Sequence, residues 1–197
     1  SFNLLFYVGL STSLLGECIR IITVAFVPTG TSGRNTKQQK ATSLNQTGIY
    51  SIVRHPLYLG NFLIFLGPFI FTGNIYSIII FILSFWIYYE RIMYAEETFL
   101  ISKFGSEYEN WSSKTPAFIP NITSYTPTKS IFSFRKVLEG EYSGIYGVFV
   151  IFTLLLAFRN YNLNITPIIS NAWKGIFLGN TLIYITLRTL KKRRRND

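Results

Sequence analysis

The sequence predicts an all-α, polytopic membrane protein of about five transmembrane helices. Three observations predict it. Only 14% of the 197 residues are charged and 49% are hydrophobic, where a soluble domain carries about 25% charged residues; mean hydropathy is +0.30. Apolar segments recur at close to the roughly 20 residues that a bilayer crossing needs. Lysine and arginine collect in alternate connections, the asymmetry that orients spanning helices.

The first span covers 1–27 and contains Glu17 and Arg20. Its opening, "SFNLLFYVGL", has no basic region before the apolar run, so it reads as a span rather than a cleavable signal peptide. A polar loop, 28–56, follows. Segments 57–71 and 75–89 flank the turn signal "TGN" and read as an antiparallel helical hairpin, 57–90. From residue 91 the chain continues as an amphipathic helix that leaves the membrane, and 121–197 holds a Pro- and Thr-rich connector, two further spans at 142–158 and 173–187, and a basic tail. The expected division is therefore a membrane core, 1–120, and an added part, 121–197.

Arg34, Lys37, Lys40 and Arg54 lie in the first loop, and Arg91, Lys103, Lys114, Lys129, Arg135 and Lys136 between the third and fourth spans. The 72–74 turn has no basic residue. An outside N-terminus and a cytoplasmic C-terminus satisfy this pattern. The net charge of +10 raises the question of nucleic acid, but the densest cluster, "KKRRR", directly follows an apolar helix, which is how a membrane anchor reads. No nucleic-acid partner and no metal site are expected. Cys18 is the only cysteine, so no disulfide forms within one chain.

Two constellations carry chemistry. In "GIYSIVRHPLYLG", Pro56 suits the first turn of a helix, where a missing N–H leaves nothing unpaired. His55, the single histidine, then falls at the helix boundary with Arg54 just outside. The free N–H groups of such a helix start tolerate an anion. On these residues alone, an arginine reaching to lipid headgroups and a histidine capping a helix explain the stretch equally well. The second constellation is "ERIMYAEETFL": Glu90, Tyr94 and Glu97 share a helical face at i, i+4 and i+7, with Glu96 on a neighbouring face. Acidic groups ending an apolar helix call for water, a cation or a partner. Both constellations belong to one hairpin and so emerge at one membrane face.

The stretch "TGIYSIVRHPLYLGN", followed by the hairpin, "EE", "FGSEYENW" and "FIP", resembles the isoprenylcysteine carboxyl methyltransferase and phospholipid methyltransferase superfamily of integral-membrane enzymes over roughly residues 14–120. The resemblance implies S-adenosylmethionine as cofactor, in a pocket facing the cytoplasm. By position it implies cofactor contacts from Ser43, Leu44, Asn45, Tyr50, His55, Pro56, Leu57, Tyr58 and Glu96; Arg54, His55 or the helix start would suit the cofactor's carboxylate, an ammonium acceptor would need His55 or Glu97 as its base, and Arg91 is the candidate to orient a carboxylate acceptor. Tyrosine faces attract a sulfonium, and a carboxylate such as Glu96 holds an amino group or ribose hydroxyls. The carboxyl-methylating enzymes have an arginine four residues before the counterpart of Glu96; here that position is Ile92, and Arg91 stands one position off. The implied acceptor is lipidic, first a carboxylate of an isoprenylcysteine-like or other lipid-linked acid, second a phospholipid amine. Membrane sterol reductases using NADPH resemble the same region, but the "EE" pair favours methyl transfer. A non-catalytic scaffold or transporter is disfavoured because the polar residues gather at one face instead of crossing the bilayer.

Overall fold

A computed structural model of the chain describes residues 2–28 and 41–196. Arg34, Lys37 and Lys40 of the first loop lie outside the described residues. The helices are α1 (Phe2–Phe26), α2 (Pro56–Thr72), α3 (Ile75–Phe104), α4 (Ser106–Ser112), α5 (Phe134–Gly140), α6 (Tyr142–Asn162) and α7 (Asn171–Asn196). The only β-type pairing among the described residues is an isolated bridge between Gly48 and Thr126.

Three helices have the length and hydropathy of a membrane span: α1 from Asn3, α3 and α6. Helix α2 is apolar but has 17 residues, about 26 Å at 1.5 Å per residue, at the short limit for a crossing. The fifth expected span falls in α7, which continues as helix through the basic tail. Cations at a helix C-terminus oppose its negative dipole end, so "KKRRR" extends the helix instead of ending it. Helix α3 buries little of its apolar length, and Ile80, Leu83, Trp86 and Ile87 are exposed, as lipid-facing residues are. The protein is an integral membrane protein.

Small residues set the centre of the bundle. A Cβ on Gly9 would lie 2.5 Å from the Gly67 carbonyl oxygen, and one on Gly16 would lie 2.5 Å from that of Gly60. These pairs run α1 and α2 antiparallel with backbones nearly touching, the arrangement by which helices associate where no water drives them together. Ser13 strengthens the seam by donating to the Ile64 carbonyl at 2.8 Å. The hairpin turn is as the sequence predicts: Gly73 adopts φ +67°, and Asn74 caps α3 by accepting from the Tyr76 and Ser77 amides. Against the far half of this pair, Phe71, Val148, Phe152 and Trp173 form a core cluster that ties α6 and α7 to α1 and α2.

The amphipathic continuation of α3 ends earlier than the sequence suggests. Gly105 adopts φ +51°, ψ −125° and separates α3 from α4. Residues 115–126 then return along the segment before α2: the amides of Arg54, His55 and Asn121 donate to the carbonyls of Pro116, Ala117 and Ile52, and that of Gly48 to Thr126. One end of the bundle thus collects the C-termini of α1, α3 and α7 and the N-termini of α2 and α6. Lys191 reaches the Glu139 carbonyl at 2.6 Å, and Lys136 that of Val27 at 2.6 Å.

Candidate active site

His55 occupies the N-cap of α2 and Pro56 its first turn, as the proline requires. The 115–126 return fixes the backbone on either side, so the two side chains before the helix point toward the end of α3. There, His55 Nε2 lies 2.8 Å from Glu97 Oε1 and His55 Nδ1 3.6 Å from Glu96 Oε2. Arg54 forks onto the same Glu97 carboxylate, Nε to Oε1 at 2.9 Å and Nη2 to Oε2 at 3.3 Å, a two-point pairing that fixes both partners. Its Nη1 donates to the carbonyls of Ser112 and Thr115, each at 2.8 Å. Tyr58 donates to Glu96 Oε2 at 2.7 Å and stacks its ring on His55.

His55 is 6% exposed. Burial by itself pushes its imidazole toward the neutral form, but the hydrogen bonds and charges of Glu96 and Glu97 outweigh this, and its pKa lies above the ordinary histidine value. The two carboxylates thus favour the imidazolium form, which bridges them and has no lone pair with which to act as a base. Burial, with the Glu96 charge, also raises the Tyr50 phenol, which stays protonated.

Tyr50, Arg54, His55, Pro56, Leu57, Tyr58 and Glu96 line one pocket. These are seven of the positions that the sequence assigned to a cofactor. The remaining three precede it: Ser43 is exposed, and Leu44 and Asn45 are half-buried, in a segment held to α4 by Gln46 donating to Glu107 at 2.7 Å. Glu97 stands behind the pocket with both oxygens engaged. Arg91 is exposed and does not line the pocket.

Of the four α3 residues that the sequence singled out, only Glu96 and Glu97 turn inward. Glu90 is exposed and Tyr94 is 75% exposed, while Tyr89, Met93, Glu96 and Glu97 face α2 and its preceding loop. Both stripes have helical spacing, and the choice between them depends on where α2 and residues 48–55 pack, which periodicity does not encode. The inward stripe continues into residues not assigned from the sequence. Asn61 donates to the Tyr89 hydroxyl at 3.0 Å and accepts from Arg20 Nη1 at 2.6 Å, and Arg20 Nε donates to Glu141 at 2.9 Å. The available signal was Glu17 and Arg20 within an apolar helix, since ionisable groups in a span mark function or pairing. Trp111 closes the other side by donating to the Tyr50 carbonyl at 3.2 Å.

The chain resembles known proteins over part of its length. It is 39% identical over 87 residues to a protein-S-isoprenylcysteine O-methyltransferase of Schizosaccharomyces pombe, covering 44% of this chain and 37% of that protein. A protein of the same name from Tribolium castaneum is 31% identical over 121 residues, 60% of this chain and 42% of its own length. The nickel-cobalt-cadmium resistance protein NccN of Alcaligenes xylosoxydans xylosoxydans is 34% identical over 87 residues, 44% and 40% of the two chains. The chain thus spans about two fifths of the length of these relatives. No solved structure matches it. Residues 5–107 match the family described as phospholipid methyltransferase, which takes in α1, the motif, α2 and α3. The chain belongs to the phospholipid methyltransferase family.

Proposed function

We propose that the protein transfers a methyl group from S-adenosylmethionine to a lipidic acceptor at the cytoplasmic membrane interface, and that the acceptor atom is a carboxylate oxygen of an isoprenylcysteine-like or other lipid-linked acid. The observation that carries this reading is the single pocket shared by Tyr50, Arg54, His55, Pro56, Leu57, Tyr58 and Glu96. Its donor set suits the methyl donor. Tyr50 and Tyr58 offer ring faces to a sulfonium; Glu96 offers a carboxylate to an amino group or ribose hydroxyls. Arg54 and the start of α2 offer positive potential to the donor's carboxylate. The pocket has about 30 Å³ of room, so a ligand the size of S-adenosylmethionine binds there only if its walls part. S-adenosylmethionine supplies an electrophilic methyl carbon when bound.

The chain's own residues position and exclude water; they do not offer a free base. Glu96 and Glu97 favour the charged form of His55, and Glu97 is occupied by His55 and Arg54. A carboxylate attacks without losing a proton, whereas an ammonium must first be deprotonated. The geometry therefore favours the carboxylate, as do the names of the relatives. Positioning against a dry wall of side chains accounts for the acceleration. In this reading His55 and Glu97 hold the pocket's shape, and Arg91 is the group available at the membrane surface to meet the acceptor.

The topology proposed with it has five crossings, the N-terminus outside and the pocket cytoplasmic, supported by the basic residues gathered at the pocket end. Calorimetry of the purified chain with S-adenosylhomocysteine and, separately, NADPH tests the donor: binding of the first in the micromolar range, about −8 kcal/mol, and none of the second is expected. Preference for NADPH would replace methyl transfer with reduction. Methyl incorporation into extracted lipid, released by mild alkali as from an ester, tests the acceptor; alkali-stable label would mean an amine.

A further inference from the structure

Behind the methyl-donor pocket, one buried donor has nothing to bond. Tyr108, on α4, is 2% exposed, and among the described residues no acceptor meets its hydroxyl with hydrogen-bond geometry. A buried phenol without a partner carries a desolvation cost that a phenylalanine of the same shape avoids. Packing holds the ring in place. It stands edge-on to Trp111 with centroids 5.6 Å apart, and Trp111 donates to the Tyr50 carbonyl. The end of α4 is tied in turn to Arg54, which donates to the Ser112 carbonyl.

The charges around this hydroxyl are those of the carboxylate cluster. Burial raises the Tyr108 phenol, the Glu97 carboxylate beside it raises it further, and the Arg54 guanidinium opposes them, so the group stays protonated and able to donate. Glu97 is served without it. Oε1 accepts from Arg54 Nε at 2.9 Å and faces His55 Nε2 at 2.8 Å, and Oε2 accepts from Arg54 Nη2 at 3.3 Å, the longer arm of the fork. A carboxylate offers about four lone-pair sites, so Glu97 has room for one more donor.

We propose that Tyr108 is a positioning residue that takes over Glu97 when Arg54 turns to the methyl donor. The proposal rests on the methyl-transfer reading. With about 30 Å³ of room the pocket is closed, and Arg54 on its wall reaches the donor's carboxylate only by giving up bonds it now makes. Each bond released at Glu97 strands a carboxylate oxygen in a site of low dielectric, where an unmet charge is costly. The Tyr108 hydroxyl is the idle donor beside it. By donating to Glu97 it keeps that carboxylate seated against His55 while the guanidinium is free, and its own burial is satisfied in the same move. A hydroxyl idle in the closed pocket and bonded in the open one favours the open, loaded form. Tyr108 does not line the pocket, so it acts through Glu97 and not on the donor itself.

The test compares Tyr108→Phe with Tyr58→Phe in the full chain in detergent, reading the thermal midpoint without ligand and the calorimetric affinity for S-adenosylhomocysteine. Tyr58→Phe removes a bond that the closed pocket already has, and should lower both. Tyr108→Phe should separate them: affinity about tenfold weaker, for the loss of one hydrogen bond to a charged group, with a midpoint equal to the parent's or about 2 °C higher. A structure of the parent with S-adenosylhomocysteine should place the Tyr108 hydroxyl within about 3 Å of a Glu97 oxygen and Arg54 off at least one of them. A midpoint lowered as in Tyr58→Phe would show that the hydroxyl already has a partner in the closed pocket. Unchanged affinity would show that it gains none on binding. Either result overturns the proposal, as does an Arg54 that keeps both arms on Glu97 in the complex, and all three leave the methyl-transfer reading standing because the parent still binds. A parent that binds no S-adenosylhomocysteine overturns that reading and the role of Tyr108 together.

Discussion

The carboxylates at the end of α3 and the carboxylate in the middle of α1 meet the low-dielectric interior in opposite ways. Glu97 receives two contacts from Arg54 and one from His55, and Glu96 receives the Tyr58 hydroxyl with His55 alongside. Their partners come from the segment before α2 and from its first turn. The backbone of that segment is in turn fixed by residues 115–126. Glu17, in contrast, has a guanidinium one turn away that is spent on Glu141 and Asn61. A partnered cluster is a scaffold, because loss of either side strands the other. An acid buried with no hydrogen-bond partner among the described residues is a local cost that the rest of the fold must offset.

The largest effect should come from breaking the scaffold. Glu97→Ala leaves Arg54 and His55 facing each other without their shared anion, and uncompensated buried charge costs about 3 kcal/mol, the low end of the range because Glu97 keeps some solvent contact. Thermal unfolding in detergent should drop by several degrees, and S-adenosylhomocysteine affinity should fall with it. An unchanged midpoint would mean that the cluster is already well hydrated and is no scaffold.

Next in size is the pocket wall. Tyr58→Phe removes the donor to Glu96 while keeping the ring on His55, and Glu96→Ala removes the acceptor altogether. Each should weaken S-adenosylhomocysteine by about 1–3 kcal/mol, with a smaller loss of thermal midpoint than Glu97→Ala because Arg54 keeps its anion. Equal affinity in both variants would move the donor site elsewhere.

What could be read from the sequence divides along the same line as the two clusters. The hairpin, its Gly73–Asn74 turn, the Pro56 start and the His55 cap follow from local chemistry, and each stands where it was expected. The pocket positions within 50–58 are short-range in one motif, whereas Glu96 joins them across 38 residues through the hairpin. The stripe of α3 that faces inward was not legible, since Glu90, Tyr94 and Glu97 and the observed Tyr89, Met93 and Glu96 are both helical stripes, and only the packing of α2 selects one. Nor was the Arg20–Glu141 pair, whose members are 121 residues apart: it forms only when the start of α6 docks against α1. The break at Gly105 follows from a glycine that reads as tolerable within a helix until its positive φ is seen.

Protonation separates the clusters further. The folded His55 pKa is raised, so its imidazolium contributes stability that is fully present below the unfolded value of about 6.5 and is lost as pH rises through the higher folded value. The midpoint should therefore decline with pH across that window, and His55→Gln, which carries no titrating group, should flatten the decline. A parent and variant with parallel profiles would show that His55 is neutral in the fold and that Glu97 is held by Arg54 alone.

The smallest effect, and the one of opposite sign, belongs to Glu17. Leucine has similar volume and no polar atom, and Arg20 keeps both Glu141 and Asn61 when it is introduced. The substitution removes two unsatisfied oxygens whose burial costs about 1–3 kcal/mol, and it loses only the longer-range attraction to Arg20. Glu17→Leu should thus raise the thermal midpoint of the ligand-free protein, by a net of about 1 kcal/mol, and leave S-adenosylhomocysteine affinity as it was. A lowered midpoint would show that the carboxylate gains more from Arg20 than its burial costs. The contrast between a satisfied cluster on α3 and an unsatisfied acid on α1 would then collapse into two ion pairs of the same kind.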